Sequence, residues 1–226
     1  LEQGREEILA KSLSMLTGTQ EDNSYPASAR EIRRYNLLPE YYRPGIQRAR
    51  ERLSKYAANF FIYEEIEGGM HSLVKNHIAE TGRPPSVIFI DYLQIMPKPL
   101  GLSSAQDKQI VDANVNMLRR LAREYHIPIL ALSILSRTYY SKPLTLQAYK
   151  ETGGIEAGAD YLLGLQAYNM GEWNKANPNA TYDFHSFYKQ EYRELELVVL
   201  KARNGVPGTI PLSYNPKFNF FTEQPE

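Results

Sequence analysis

Two short apolar runs, Val87-Ile-Phe-Ile90 and Ile127-Pro-Ile-Leu-Ala-Leu132, flank a segment in which Ile110, Ala113, Met117, Leu118, Leu121 and Tyr125 recur at helical spacing. A run of this length that is apolar at nearly every position fits a strand buried on both faces, as in a parallel sheet. Strand, helix and strand in this order imply a right-handed crossover, so the chain reads as α/β, a mostly parallel sheet flanked by helices. Ligands in such sheets bind at the carboxyl ends of the strands, which singles out Asp91, the residue that closes the first run.

The remaining pattern extends this core. Residues 5–16 predict an amphipathic helix with Ile8, Leu9, Leu13 and Leu16 on one face and Gly18 as its stop. Pro26, Pro39 and Pro44 cut the next stretch into short helical pieces, residues 59–62 read as a short strand, and 68–80 as a helix ended by Gly82. Strands are expected over 159–165, 194–200 and 209–213, and residues 218–221 close the chain in a hairpin-like region. Residues 167–193, rich in Tyr and Asn, show no period and read as an insertion in a single domain spanning 1–226.

Composition removes several classes of function. No run approaches the ~18–20 apolar residues of a membrane span. The absence of Cys excludes disulfides, a thiolate nucleophile and a cysteine-built zinc site, and His71, His77, His126 and His185 lack ligand spacing. The composition fits a cytosolic protein. With 26 basic and 26 acidic residues the chain is not coated in positive charge, yet residues 27–55 hold eight basic residues against three acids. That stretch reads first as the solvated face of short helices.

Three features bear on chemistry. A carboxylate at Asp91 can hold Mg²⁺ beside bound phosphates, or it can be an ordinary turn Asp. Lys201 and Arg203 follow a strand two residues apart, so their side chains leave one face ~7 Å apart and can grip a phosphate, or can simply end a charged strand in water. The turn Lys150-Glu-Thr-Gly-Gly-Ile-Glu-Ala-Gly-Ala-Asp160 is studded with glycines whose backbone N–H groups can meet phosphates, or it is an ordinary loop.

Taken together, these segments resemble the RecA-like motor domain of DnaB-type replicative DNA helicases. Val87-Ile-Phe-Ile-Asp-Tyr-Leu-Gln-Ile-Met96 is similar to the family's Walker B strand, and Leu118 to Arg137 to the helix and strand that follow. Residues 150–160 look like its Arg-Glu-Ser-Gly-x-Ile-Glu-x-Asp-Ala-Asp turn, Lys201-Ala-Arg-Asn-Gly-Val-Pro-Gly-Thr209 like its Lys-x-Arg-Asn-Gly-x-x-Gly-Thr segment, and Leu1-Glu2 like the end of its Ser-Leu-Glu-Met strand. The resemblance implies ATP and Mg²⁺ as cofactors, with Glu2 polarising the attacking water and Asp91 coordinating the metal. It implies that Lys201 and Arg203 reach a neighbouring subunit's nucleotide, Arg203 as the finger. It further implies that Lys150, Glu151 and Gly153 contact single-stranded DNA inside a hexameric ring, bordered by the loop at 97–108, with a loader and a primase as partners and no membrane.

The sequence also departs from that pattern. It contains no Gly-x-x-x-x-Gly-Lys, the element that cradles phosphates, so the expectation is a chain cut short upstream and inactive alone. Ile134 stands where the family has a Gln that senses the γ-phosphate, Gly158 where it has Asp, and Lys150 where it has Arg. A helicase motor is the leading reading. A non-catalytic RecA-like module that binds DNA or a helicase partner, and a repair ATPase of the same fold, are the alternatives.

Overall fold

The computed structural model describes residues 3–19, 25–99, 106–149 and 152–223. The elements in chain order begin with helices α1 (Arg5–Gly18), α2 (Ala29–Ile32), α3 (Arg43–Ser54) and α4 (Met70–Thr81). Strand β1 (Ile88–Ile90), α5 (Asp107–Tyr125), β2 (Ile129–Ala131), α6 (Thr152–Gly158) and β3 (Tyr161–Ala167) follow. The chain ends with α7 (Met170–Ala176), α8 (Phe184–Lys189), β4 (Arg193–Ala202), β5 (Gly208–Asn215) and β6 (Phe220–Glu223). These elements fall into two compact units, the first built from Tyr63–Gly164 and Val198–Gly208 and the second from Gln3–Ile62, Leu165–Leu197 and the chain from Thr209 onward. None of the described helices is long and apolar enough to cross a membrane.

In the first unit the expected parallel pair is present. β1 and β2 run parallel with Ile88 opposite Ile129 and Ile90 opposite Ala131. The ladder continues past both strands, Leu132 N–H donating to the Ile90 carbonyl at 2.9 Å and Leu93 N–H to the Leu132 carbonyl at 2.9 Å. Their inner residues pack with Val74 of α4 and Val111, Leu118 and Leu121 of α5 in one core. Leu121 is fully buried. Helix ends follow local chemistry: Gly82 terminates α4 in the left-handed region at φ 75°, and His126 does the same for α5 at φ 55°.

One expectation about these strands fails. Val87, Phe89, Leu130 and Leu132 are exposed, Phe89 at 70%, so only one face of the pair is packed among the described residues. Side chains of adjacent strand residues point to opposite faces, and α4 and α5 cover just one of them.

The second unit contains the remaining corrections. α1 spans the expected residues, but its most buried positions are Ala10, Ser14 and Thr17 rather than Ile8, Leu9, Leu13 and Leu16, which are only half-buried. Small residues let α3, which buries Gly45, Ile46 and Ala49, approach closely. Pro44 opens α3 instead of breaking it, since the first helical turn has no N–H partner to lose. Residues 60–62 form no strand; the Ile62 carbonyl accepts from the Arg5 guanidinium at 3.2 Å, and no neighbouring strand among the described residues supplies a ladder. The cations of 27–55 are exposed as expected of helix surfaces, Arg50 lying over the Tyr35 ring at 4.5 Å. The insertion is ordered: α7 and α8 bury Met170 and Phe187, with Trp173, Tyr182 and Phe184 packed around them.

The four strands β3 to β6 lie in the order β3-β4-β5-β6, with β5 and β6 antiparallel. In the first unit, α6 packs on α5 through glycines. A Cβ at Gly154 would overlap the Asp112 carboxylate and lie 3.1 Å from Asp112 Cα, and one at Gly158 would collide with Val115 Cγ1. The Asp found at position 158 in the family pattern therefore does not fit this packing.

Alanine at 154 would gain about 1 kcal/mol of helix propensity, against an overpacking cost of about 1–3 kcal/mol. Gly154→Ala should lower the urea midpoint of the full chain. Gly171→Ala in α7, where a Cβ meets nothing within 4 Å, should hold or raise it.

Candidate functional site

The parallel pair ends in a polar cluster. Asp91 follows β1 directly, half-buried, and among the described residues its carboxylate pairs with no cation. The Asp91–Tyr92 peptide is cis. Gln94 joins the two strand ends: its Nε2 donates to Ser133 Oγ at 2.9 Å, and its Oε1 accepts from the Ile134 N–H at 3.2 Å. No role was expected of Gln94, although its place in the Asp-Tyr-Leu-Gln string was a signal. An amide supplies a donor and an acceptor at once, which this bridge requires. The Ile134 side chain offers neither and stands partly exposed.

A second cluster surrounds α6. Tyr149, the residue before the segment 150–151, is buried, and its hydroxyl donates to the Leu163 carbonyl at 2.6 Å. Burial disfavours the phenolate and pushes the Tyr149 pKa up to about 12. Ser136 N–H donates to the Ala148 carbonyl at 2.7 Å, and Leu135 bridges Tyr149, so the approach to the turn is fixed. Gly153 is the second residue of α6, and a side chain there would stand 3.8 Å from Lys108 Nζ of α5, a cation beside the turn that no sequence motif singles out. Lys150 and Glu151 lie outside the described residues, as do Glu2 and the middle half of the loop at 97–108.

The strand β4 ends at Ala202, so Lys201 is its penultimate residue and Arg203 stands one step beyond it. Both are tied to α6 and its exit. Lys201 Nζ donates to the Glu156 carbonyl at 2.6 Å, and Arg203 meets Asp160 twice, backbone N–H to carbonyl at 2.9 Å and Nε to Oδ1 at 3.0 Å. Asp160, the last residue of the glycine-studded turn, had no expected role.

Among the described residues no group of three or more His, Cys, Asp or Glu side chains could hold a metal ion. A divalent cation at Asp91 would therefore take one carboxylate from the described residues and fill the rest of its shell with phosphate oxygens and water.

Residues 2–223 match the model of the DnaB-like helicase C terminal domain. The chain belongs to that family. A probable replicative DNA helicase of Trieres chinensis is 32% identical over 138 residues, 60% of this chain and 28% of that protein. Replicative DNA helicase DnaB of Helicobacter pylori (strain J99) is 29% identical over 201 residues, 78% of this chain and 40% of that protein. The chain thus spans less than half the length of these relatives. Among solved structures, a DnaB-like replicative helicase described with its interactions with primase aligns with a TM-score of 0.74 at 18% identity, over 99% of this chain and 50% of that one. A second solved structure, described as an ATPase domain, aligns with a TM-score of 0.73 at 19% identity, over 99% of this chain and 72% of that one. The fold and family expected from the sequence are borne out.

Tyr149 generates a pH prediction. Its folded pKa lies above the ordinary value of 10.0. Between roughly pH 10 and 12 the folded state therefore binds more protons than the unfolded chain, and stability falls as pH rises. Tyr149→Phe should lose about 1 kcal/mol at neutral pH with its hydrogen bond. In denaturant titrations across that window its stability should decline less steeply than that of the native chain.

Proposed function

We propose that this chain is part of an ATP-dependent replicative helicase motor that moves along single-stranded DNA as a hexameric ring in the cytoplasm and unwinds the duplex ahead. The observation that carries the reading is the convergence on α6: its first turn follows the DNA-turn residues Lys150 and Glu151, and its far end and exit hold Lys201 and Arg203. In this reading Asp91 holds Mg²⁺ at the carboxyl end of β1, and Glu2 polarises the attacking water. ATP with its magnesium supplies the free energy of movement. Lys201 and Arg203 serve the nucleotide of an adjacent subunit, where a guanidinium stabilises charge spreading over the γ-phosphate. Lys150, Glu151 and Gly153 meet the DNA backbone, with Lys108 beside Gly153. Six such modest contacts in a ring act together, so a subunit of zero net charge can still hold DNA. A loader and a primase are the expected partners, the latter in keeping with the DnaB-like structure described with primase.

A second reading, a RecA-like module that binds without hydrolysing, is favoured by Ile134. Kinetics separate the two. In the full-length protein Arg203→Ala should leave nucleotide affinity near native while slowing hydrolysis by roughly a thousandfold. Mixing these subunits with Glu2→Ala subunits should restore part of the rate, because some interfaces then join an intact Glu2 to an intact Arg203. A mixture no faster than either variant, with subunit exchange verified, would remove the finger role.

For DNA, Lys150→Ala should weaken single-strand binding equally across sequences and make the salt dependence shallower, since phosphate contacts carry no base information. Fluorescence anisotropy over a salt series measures this. An unchanged slope would return Lys150 to the role of a solvated turn residue.

A further inference from the structure

Arg203 is attached to its own subunit in a way that separates two functions. Its backbone N–H is fixed by the Asp160 carbonyl at 2.9 Å, which any residue at 160 would supply. Its side chain is fixed by the Asp160 carboxylate, which only an acidic or amide residue can replace, through Nε at 3.0 Å. Both side chains are about half exposed, 47% for Arg203 and 65% for Asp160, so the pair is not a core contact. An exposed pair of this kind adds little to folding. It can, however, restrict a long side chain whose free rotamers otherwise cost entropy when it is put to use.

The contact is also directional. Nε is the guanidinium nitrogen nearest the chain, so an acceptor there orients the planar group from its near side, and the fork carries further N–H donors at its far end. Asp160 in turn leaves α6 two residues after Gly158, and Gly158 is held against Val115 of α5 with no room for a Cβ. The carboxylate is therefore mounted on a segment that the α5–α6 packing keeps in register.

We propose that Asp160 is a positioning residue for Arg203, orienting its guanidinium for the neighbouring subunit's nucleotide. This rests on the reading of Arg203 as a residue acting in trans. Asp160 touches neither nucleotide nor metal in this scheme; it reduces the number of orientations Arg203 must give up as the transition state forms. Its removal should lower kcat and leave the KM for ATP unchanged.

The test uses the full-length protein and steady-state ATPase assays. Asp160→Ala keeps the backbone contact and should reduce kcat about two- to fivefold, the range an exposed ion pair can impose, with KM for ATP unaltered. Asp160→Asn retains an acceptor oxygen for Nε and should recover most of that loss. The decisive comparison is a double-mutant cycle: in an Arg203→Ala background, Asp160→Ala should have no further effect, because the group it positions is gone. If Arg203→Ala slows hydrolysis but Asp160→Ala leaves kcat native, or if the Asp160→Ala loss persists undiminished without Arg203, the positioning role is wrong while the finger reading stands. If Arg203→Ala itself leaves hydrolysis unchanged, the underlying reading falls and this proposal falls with it.

Discussion

At positions 154 and 158 the space that a Cβ would need is already taken by the Asp112 carboxylate and by Val115 of α5. Only glycine allows α6 to sit so close, and the rest of the candidate site hangs from that approach. α6 is a helix of seven residues, too short to be stable alone, so its existence depends on the surface it lies against. That surface is α5, whose other buried side chains, Leu118 and Leu121, pack in the same core as β1 and β2. One helix thus supports the strand that leads into Asp91 and the turn element that receives Lys201 and Arg203. A displacement of α6 along α5 would move both of those contacts together.

The sequence made part of this legible for definite reasons. β1 and β2 could be read because short continuous apolar runs flank α5, and α5 because its apolar residues follow the helical period, while Gly82 and Pro84 mark the break before β1. The face of α1 was misread for an equally definite reason. Hydrophobicity selects Ile8, Leu9, Leu13 and Leu16, but close helix packing selects small residues, and Ala10, Ser14 and Thr17 are the ones α1 buries. Thr17 also shows why a polar residue can be buried there: its hydroxyl donates to the Ala27 carbonyl and accepts from the Ala27 N–H, both at 3.0 Å. The same hydroxyl lies 2.8 Å from the local Ser14 carbonyl, but Ala27 is ten positions away and the helical period of α1 does not reveal that pairing.

The same limit applies at the candidate site. Asp91, Lys201 and Arg203 stood out because charged residues close otherwise apolar strands, a pattern visible along the chain. Gln94, Lys108, Tyr149 and Asp160 did not, because what distinguishes them is a partner 39, 45, 14 or 43 positions away. Tyr149 illustrates the cost of reading type rather than place. Tyrosines are numerous in this chain, 17 in all, and residue type alone gives no reason to single out position 149. This one instead buries its hydroxyl against a strand carbonyl and anchors the segment that precedes Lys150.

By spacing alone Lys201 and Arg203 are two cations able to grip one phosphate, and their contacts make them unequal. Lys201 donates to the Glu156 carbonyl, one of the last four carbonyls of α6, which have no partner within the helix. A cation at a helix carboxyl end satisfies such a group and offsets the partial negative charge there, so Lys201 helps to hold α6 in place. An ammonium engaged at 2.6 Å must give up that contact or turn its other protons outward to serve a phosphate. A guanidinium has five N–H donors in a rigid plane and can keep Nε on Asp160 while presenting its far edge elsewhere. The geometry therefore separates two residues that spacing alone treats as one: the lysine secures the element, and the arginine, held at Nε, keeps its far edge free of Asp160.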